Sequence, residues 1–126
     1  MNNQIIKSFI CASAVTEFAL VAIDSAGKVA IATDPTANTI IGVAQRGAEA
    51  GEPVDVVIHG ETRVIANGSL TLTSSTVLSV TTDGEVQAAA STHYPVGFTL
   101  PNINQTSAAA NEQILICFSR GLAPLA

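Results

Sequence analysis

Val21-Ala22-Ile23-Asp24-Ser25-Ala26-Gly27-Lys28-Val29 is an apolar run, a polar turn with a glycine, and the start of a second apolar run. Leu78-Ser79-Val80-Thr81-Thr82-Asp83-Gly84-Glu85-Val86 has the same form. Both read as β-hairpins, with short β-branched runs flanking a residue that tolerates positive φ. Two further matches come after them in the same order. Ile41-Gly42-Val43-Ala44 parallels Val96-Gly97-Phe98-Thr99. Gly51-Glu52-Pro53-Val54-Asp55-Val56-Val57-Ile58 parallels Asn111-Glu112-Gln113-Ile114-Leu115-Ile116-Cys117-Phe118. Each unit is thus a hairpin, a polar break, a glycine-containing strand, a loop and a strand. One unit alone is a half-built sheet with an open apolar face, and a copy supplies the other half, so that closing the two removes exposed edges. Chance similarity among Val- and Gly-rich strands is the competing explanation, because two copies are few.

The rest of the chain keeps the same rhythm. Asn67-Gly68 reads as another tight hairpin turn, and polar breaks fall at Thr33–Asn38 and Pro101–Asn111. Turn signals recur about every 8 to 12 residues, the spacing of a sandwich or barrel. Ala88-Ala89-Ala90 and Ala108-Ala109-Ala110 are too short to make helices alone. We therefore expect an all-β chain, a sandwich or barrel built from two similar halves. The expected organisation is a single β domain over residues 15–126, with the internal repeat at about 18–60 and 75–121.

Residues 1–14 precede this repeat and supply none of its strands. Their Ile5, Ile6, Phe9 and Ile10 are apolar without a mate in the duplication, which makes these four the candidate interface residues. Two placements stay open: an N-terminal arm that adds a strand to a neighbouring subunit, or an extra strand closing the protein's own barrel. The segment also has the outline of a signal peptide, with Lys7 and then Ala12-Ser13-Ala14. Its apolar stretch is four residues, against the roughly 7 to 15 that export needs. Synthesis in the cytoplasm is the expectation, with Cys11 and Cys117 as free thiols.

Composition narrows the function classes. Hydrophobic residues make up 48% of the 126, charged residues 12% and aromatics 4%, so a core can form and disorder is excluded. No apolar run approaches the roughly 18 to 20 residues of a membrane helix, and two cysteines do not make a disulfide scaffold. The formal charge is −5, and the five bases stand singly, which argues against nucleic acid and anionic membrane as partners. A mean hydropathy of +0.43 is high for a soluble monomer and points to apolar surface buried between subunits.

Reactive chemistry finds little support. His59 and His93 lack the local partners of a triad, and there is no nucleophile elbow. Cys11, His59, His93 and Cys117 form a nominal metal set whose spacings match no compact zinc motif. No Gly-rich phosphate loop is present, and Asn67-Gly68-Ser69 and Asn104-Gln105-Thr106 match the glycosylation pattern only as turn composition. We expect no catalytic residues, no cofactor and no metal. One tyrosine and no tryptophan disfavour a carbohydrate-binding module, which stacks sugars on aromatic rings.

From about Phe18 to Gly121 the chain resembles the phage head decoration, or capsid cement, proteins. The resemblance is carried by Asp24-Ser25-Ala26-Gly27-Lys28-Val29, by Thr39-Ile40-Ile41-Gly42-Val43-Ala44, and by Ala50-Gly51-Glu52-Pro53-Val54-Asp55-Val56-Val57-Ile58-His59-Gly60. Asp83-Gly84-Glu85-Val86 and Pro95-Val96-Gly97-Phe98 are similar to the family's C-terminal half. The Pro101–Asn111 insertion departs from the pattern. The resemblance implies a small β-barrel or β-tulip-like module that forms a homotrimer on the outer surface of an assembled viral head, bound to the major capsid protein and resisting the pressure of packaged DNA. The alternative is a tail, fibre or baseplate structural module.

Overall fold

The protein is described by a computed structural model over residues 4–72, 76–100, 105, 107–121 and 124–125. Among these residues every regular element is a strand. In chain order they are β1 (Ile5–Ile10), β2 (Leu20–Ile23), β3 (Val29–Ile31), β4 (Ile40–Ala44), β5 (Pro53–Ile65), β6 (Leu70–Thr71), β7 (Val77–Val80), β8 (Val86–Ala88), β9 (Gly97–Thr99), β10 (Ser107–Ala108) and β11 (Gln113–Phe118). They form one curled antiparallel sheet in the order β3-β2-β4-β5-β11-β9-β7-β8, with β1 also on β5 and a separate β6–β10 pair. The fold is the expected all-β, barrel-like module.

The order reads the same from both ends, and the pairing repeats residue by residue. Ile23 faces Val29 as Val80 faces Val86. Val21 faces Gly42 as Leu78 faces Gly97. Val43 faces Val57 as Phe98 faces Cys117. Both strand glycines sit where a side chain has no room. A Cβ on Gly42 would lie 2.2 Å from the Val57 carbonyl oxygen, and one on Gly97 would lie 2.1 Å from that of Cys117. The glycine in each half therefore lets the sheet close against the same carbonyl.

The repeat extends further than the sequence matches indicate, and the N-terminal segment belongs to it. β1 pairs with the first half of β5, Ile10 facing Pro53 and Lys7 facing Val56. The second half of β5 pairs with β11 in the equivalent way, Ile65 facing Gln113 and Thr62 facing Ile116. The residues just past β1 also have their doubles. Cys11 donates to the Glu52 carbonyl and Ala12 to that of Val29, just as Ala66 donates to Glu112 and Asn67 to Val86. Val15 bridges Ala48 as Leu70 pairs with Ala108. The structural repeat is thus 5–58 and 60–118, with β5 serving as last strand of the first unit and first strand of the second.

Three expectations are corrected by these pairings. Residues 5–14 are not outside the repeat: of the two placements left open, β1 takes that of a strand in the protein's own sheet, where it is the counterpart of residues 60–65. Asn67-Gly68 makes no hairpin: it comes after the end of β5 and stands where Ala12-Ser13 stands in the first unit. The halves also do not close all edges, since β1 pairs only with β5 among the described strands. Of the Pro101–Asn111 insertion, 101–104 and 106 lie outside the described residues. Its end rejoins the repeat, with the Glu112 carboxylate capping the Ala109 N–H as Glu52 caps Glu49.

Two cores result from this arrangement. The first unit's inner face buries Cys11, Val15, Val21, Val29, Ala44, Ala48, Val54 and Val56. Its outer face, Leu20, Ala32, Ile40 and Val43, joins the second unit's core of Val64, Leu78, Val80, Val86, Val96, Ile114, Ile116 and Phe118. The sheet of β2 and β4 is therefore covered on both sides, which is why these strands read as continuous apolar runs without alternation. A shift in the β2–β4 register between Val21 and Ala22 accompanies the split of β4, in which Ile40 and Val43 join one core while Ile41 packs on the other.

Candidate functional site

Reactive side chains are dispersed and pinned. Among the described residues, no group of three or more His, Cys, Asp and Glu gathers around a common point where a metal ion could be held. His59 is exposed on β5. His93 Nδ1 lies 2.9 Å from Ser79 Oγ and accepts from the Ala90 N–H at 3.2 Å. Ser79 is fully buried, so this pair fastens the 90–93 turn over β7 and presents no hydroxyl to solvent. Cys11 is buried, and burial raises its thiol pKa above the usual value, partly offset by Arg46. Cys117 is half-buried, and both thiols are free.

The loop between β3 and β4 ties the two units together. The Asp34 carboxylate accepts from the Thr36 hydroxyl and N–H, which lowers its pKa below the usual carboxylate value. Tyr94 N–H donates to the Pro35 carbonyl. Arg120 donates to the Asn38 carbonyl at 2.9 Å and to its side-chain oxygen at 2.7 Å.

Apolar surface is where the molecule is unusual. Ile5, Ile6 and Ile10 are 55%, 51% and 41% exposed along β1. Phe9, the fourth residue singled out from the sequence, is half-buried and faces elsewhere. With Lys7, Ile23, Ile41, Ile58 and Arg120 it lines an open groove of about 390 Å³ on the first unit. A second patch lies on the second unit. Val77 and Phe98 are cross-strand neighbours, 47% and 38% exposed. Sequence reasoning missed both the groove and this ridge, because Ile23, Ile41, Ile58, Val77 and Phe98 occupy positions whose counterparts are core.

No protein-family model matches the chain, and no curated protein does. A solved structure does match: the N base of head fiber gp8.5 of bacteriophage phi29, with a TM-score of 0.68 over 98% of each chain. The two sequences are 17% identical, so what is shared is the fold. At that coverage the correspondence takes in β1 as well as the later strands.

Proposed function

We propose that this protein is a structural component of a phage head, binding the outer surface of the assembled shell as a homotrimer and stabilising it against internal DNA pressure. The observation that carries the proposal is the correspondence along 98% of both chains to the base of a head fibre. The surface supports it independently. Its distinctive features are apolar contact areas, and the histidines and cysteines are scattered or buried. Such a module works by contact area: each Å² of apolar surface removed from water contributes about 25 cal/mol, and three linked copies act together. Ile6 and Ile10 share one face of β1 by strand alternation and are the residues proposed to meet the major capsid protein.

The structural neighbour also favours a second reading, in which the chain is the base on which a fibre stands, with shell stabilisation secondary. Both readings put the protein on a head, and one experiment separates them from a tail or baseplate role. Expanded heads lacking the protein are mixed with the purified chain and sedimented, then heated. Co-sedimentation with a raised temperature of DNA release supports a cement; co-sedimentation without it supports a fibre base. A folded protein that stays in the supernatant refutes both.

A further inference from the structure

The two units share a fold but not an environment. On the outer face of the first unit, Leu20, Ala32, Ile40 and Val43 are all buried, at 0%, 1%, 3% and 0% exposure. Their counterparts by pairing and sequence, Val77, Ala89, Pro95 and Phe98, are exposed or half-buried. The inner face shows the converse. Phe9, Ile23, Ile41 and Ile58 are half-buried around the groove, whereas their counterparts Val64, Val80, Val96 and Phe118 are at most 1% exposed. Each unit therefore carries a ridge on its outer face and a groove at the mouth of its inner face.

Within one chain only one ridge and one groove are used, and they are used on each other. Leu20, Ala32, Ile40 and Val43 lie in the same core as Val64, Val80, Val96 and Phe118. Leu20 N–H donates to the Gly84 carbonyl at 2.9 Å, in the hairpin turn of the second unit. The Gln45 side chain, just past β4, donates to Thr62 Oγ1 at 3.1 Å. Left over are the ridge of the second unit and the groove of the first. Gly27, the counterpart of Gly84, is likewise exposed with open space around it.

We propose that the leftover ridge and groove bind each other between copies. Val77 and Phe98 of one copy enter the groove of Phe9, Ile23, Ile41 and Ile58 on the next, repeating between chains the contact already made within each. The occupant is a second copy of this chain because the protein already contains that interface, built from the equivalent residues. Such a contact is head to tail: different patches meet, so it either closes into a ring or propagates. With the trimer proposed above, three copies close a ring of six units, the first ridge meeting the last groove. The inference rests on that reading for copy number alone; capsid binding plays no part in it.

Purified chain in light scattering tests it without any head. Wild type is expected at about 38 kDa, three times 12.8 kDa. The double variant Val77→Asp, Phe98→Asp is expected to be folded by circular dichroism and monomeric. A groove variant, Ile41→Asp, is expected to behave the same way, with Phe9→Asp on the edge strand used if Ile41→Asp does not fold. Mixing the ridge variant with the groove variant is decisive. One intact groove then meets one intact ridge, and the mixture forms a heterodimer and stops there. A monomeric wild type at high micromolar concentration overturns the proposal. So does a ridge variant that keeps the wild-type mass, or a mixture of folded variants that stays monomeric.

Discussion

Replacing Gly42 with alanine tests the internal repeat and the closeness of its strands together. The new Cβ would lie 2.2 Å from the Val57 carbonyl oxygen and 2.5 Å from Val56 Cγ1. Neither neighbour can swing away, because Val57 and Val56 pair with Val43 and Ala44 across the same junction and are themselves fully buried. Real Cβ contacts lie beyond 3.0 Å, so β4 and β5 must part by about an ångström over several residues. Overpacking of this kind costs about 1–3 kcal/mol, and the upper end applies because the clash is with backbone. For a chain of this size about 2–3 kcal/mol lowers Tm by roughly 8–12 °C. Gly97→Ala meets the equivalent carbonyl at 2.1 Å and should lose as much or more. Gly27→Ala is the control. Its φ is +80° with nothing within 4 Å, so the substitution costs only the left-handed backbone, about 1 kcal/mol. Thermal melts followed by circular dichroism measure all three. A Gly42→Ala protein as stable as Gly27→Ala would refute the close approach. A large loss at Gly42 with none at Gly97 would refute the equivalence of the halves.

Phe118→Ala should cost about 3–5 kcal/mol in denaturant unfolding, and Ile58→Ala, its half-buried counterpart, well under half of that. Deleting residues 1–14 should abolish cooperative unfolding, since it removes β1 and the buried Cys11; a truncated chain with a native melt would contradict the place of β1 in the sheet. Alkylation read by mass spectrometry should label Cys117 before Cys11. Because the Cys11 pKa is raised in the folded state, unfolding releases a proton once pH passes the unfolded thiol's value of about 8.5. Stability should therefore decline above that pH, and Cys11→Ala should remove the decline. Asp34 is the opposite case: its pKa is lowered, so the tie it makes to Thr36 is complete above the ordinary carboxylate value and is lost as pH falls through the depressed one. A carboxyl titration by NMR should find Asp34 below the ordinary aspartate value.

The strand pattern was legible because its signals are local. Gly27 and Gly84 mark hairpin turns, and Gly42 and Gly97 each mark the point where one strand crowds the next. β1 was not legible as a repeat strand for an equally physical reason. Ile5-Ile6-Lys7-Ser8-Phe9-Ile10 and Gly60-Glu61-Thr62-Arg63-Val64-Ile65 make equivalent strand pairings, but the first is exposed along nearly its whole length whereas Gly60, Thr62 and Val64 are buried, so their side chains share little. The segments after β9 and β4 also differ in length, shifting the separation of equivalent residues from 55 at Gly42 and Gly97 to 60 at Val57 and Cys117. The groove and ridge were invisible for a different reason. Val77 and Leu20, or Ile58 and Phe118, are interchangeable as apolar strand residues; only the placement of one unit against the other leaves one exposed and covers its counterpart.

Whether the molecule belongs on a head is tested most directly by electron cryomicroscopy of heads saturated with the purified protein. Density is expected on the outer surface, at regular lattice sites, each large enough for three copies and shaped as six similar lobes. Bare heads in the presence of excess folded protein, with density found only at a tail or nowhere, would contradict it.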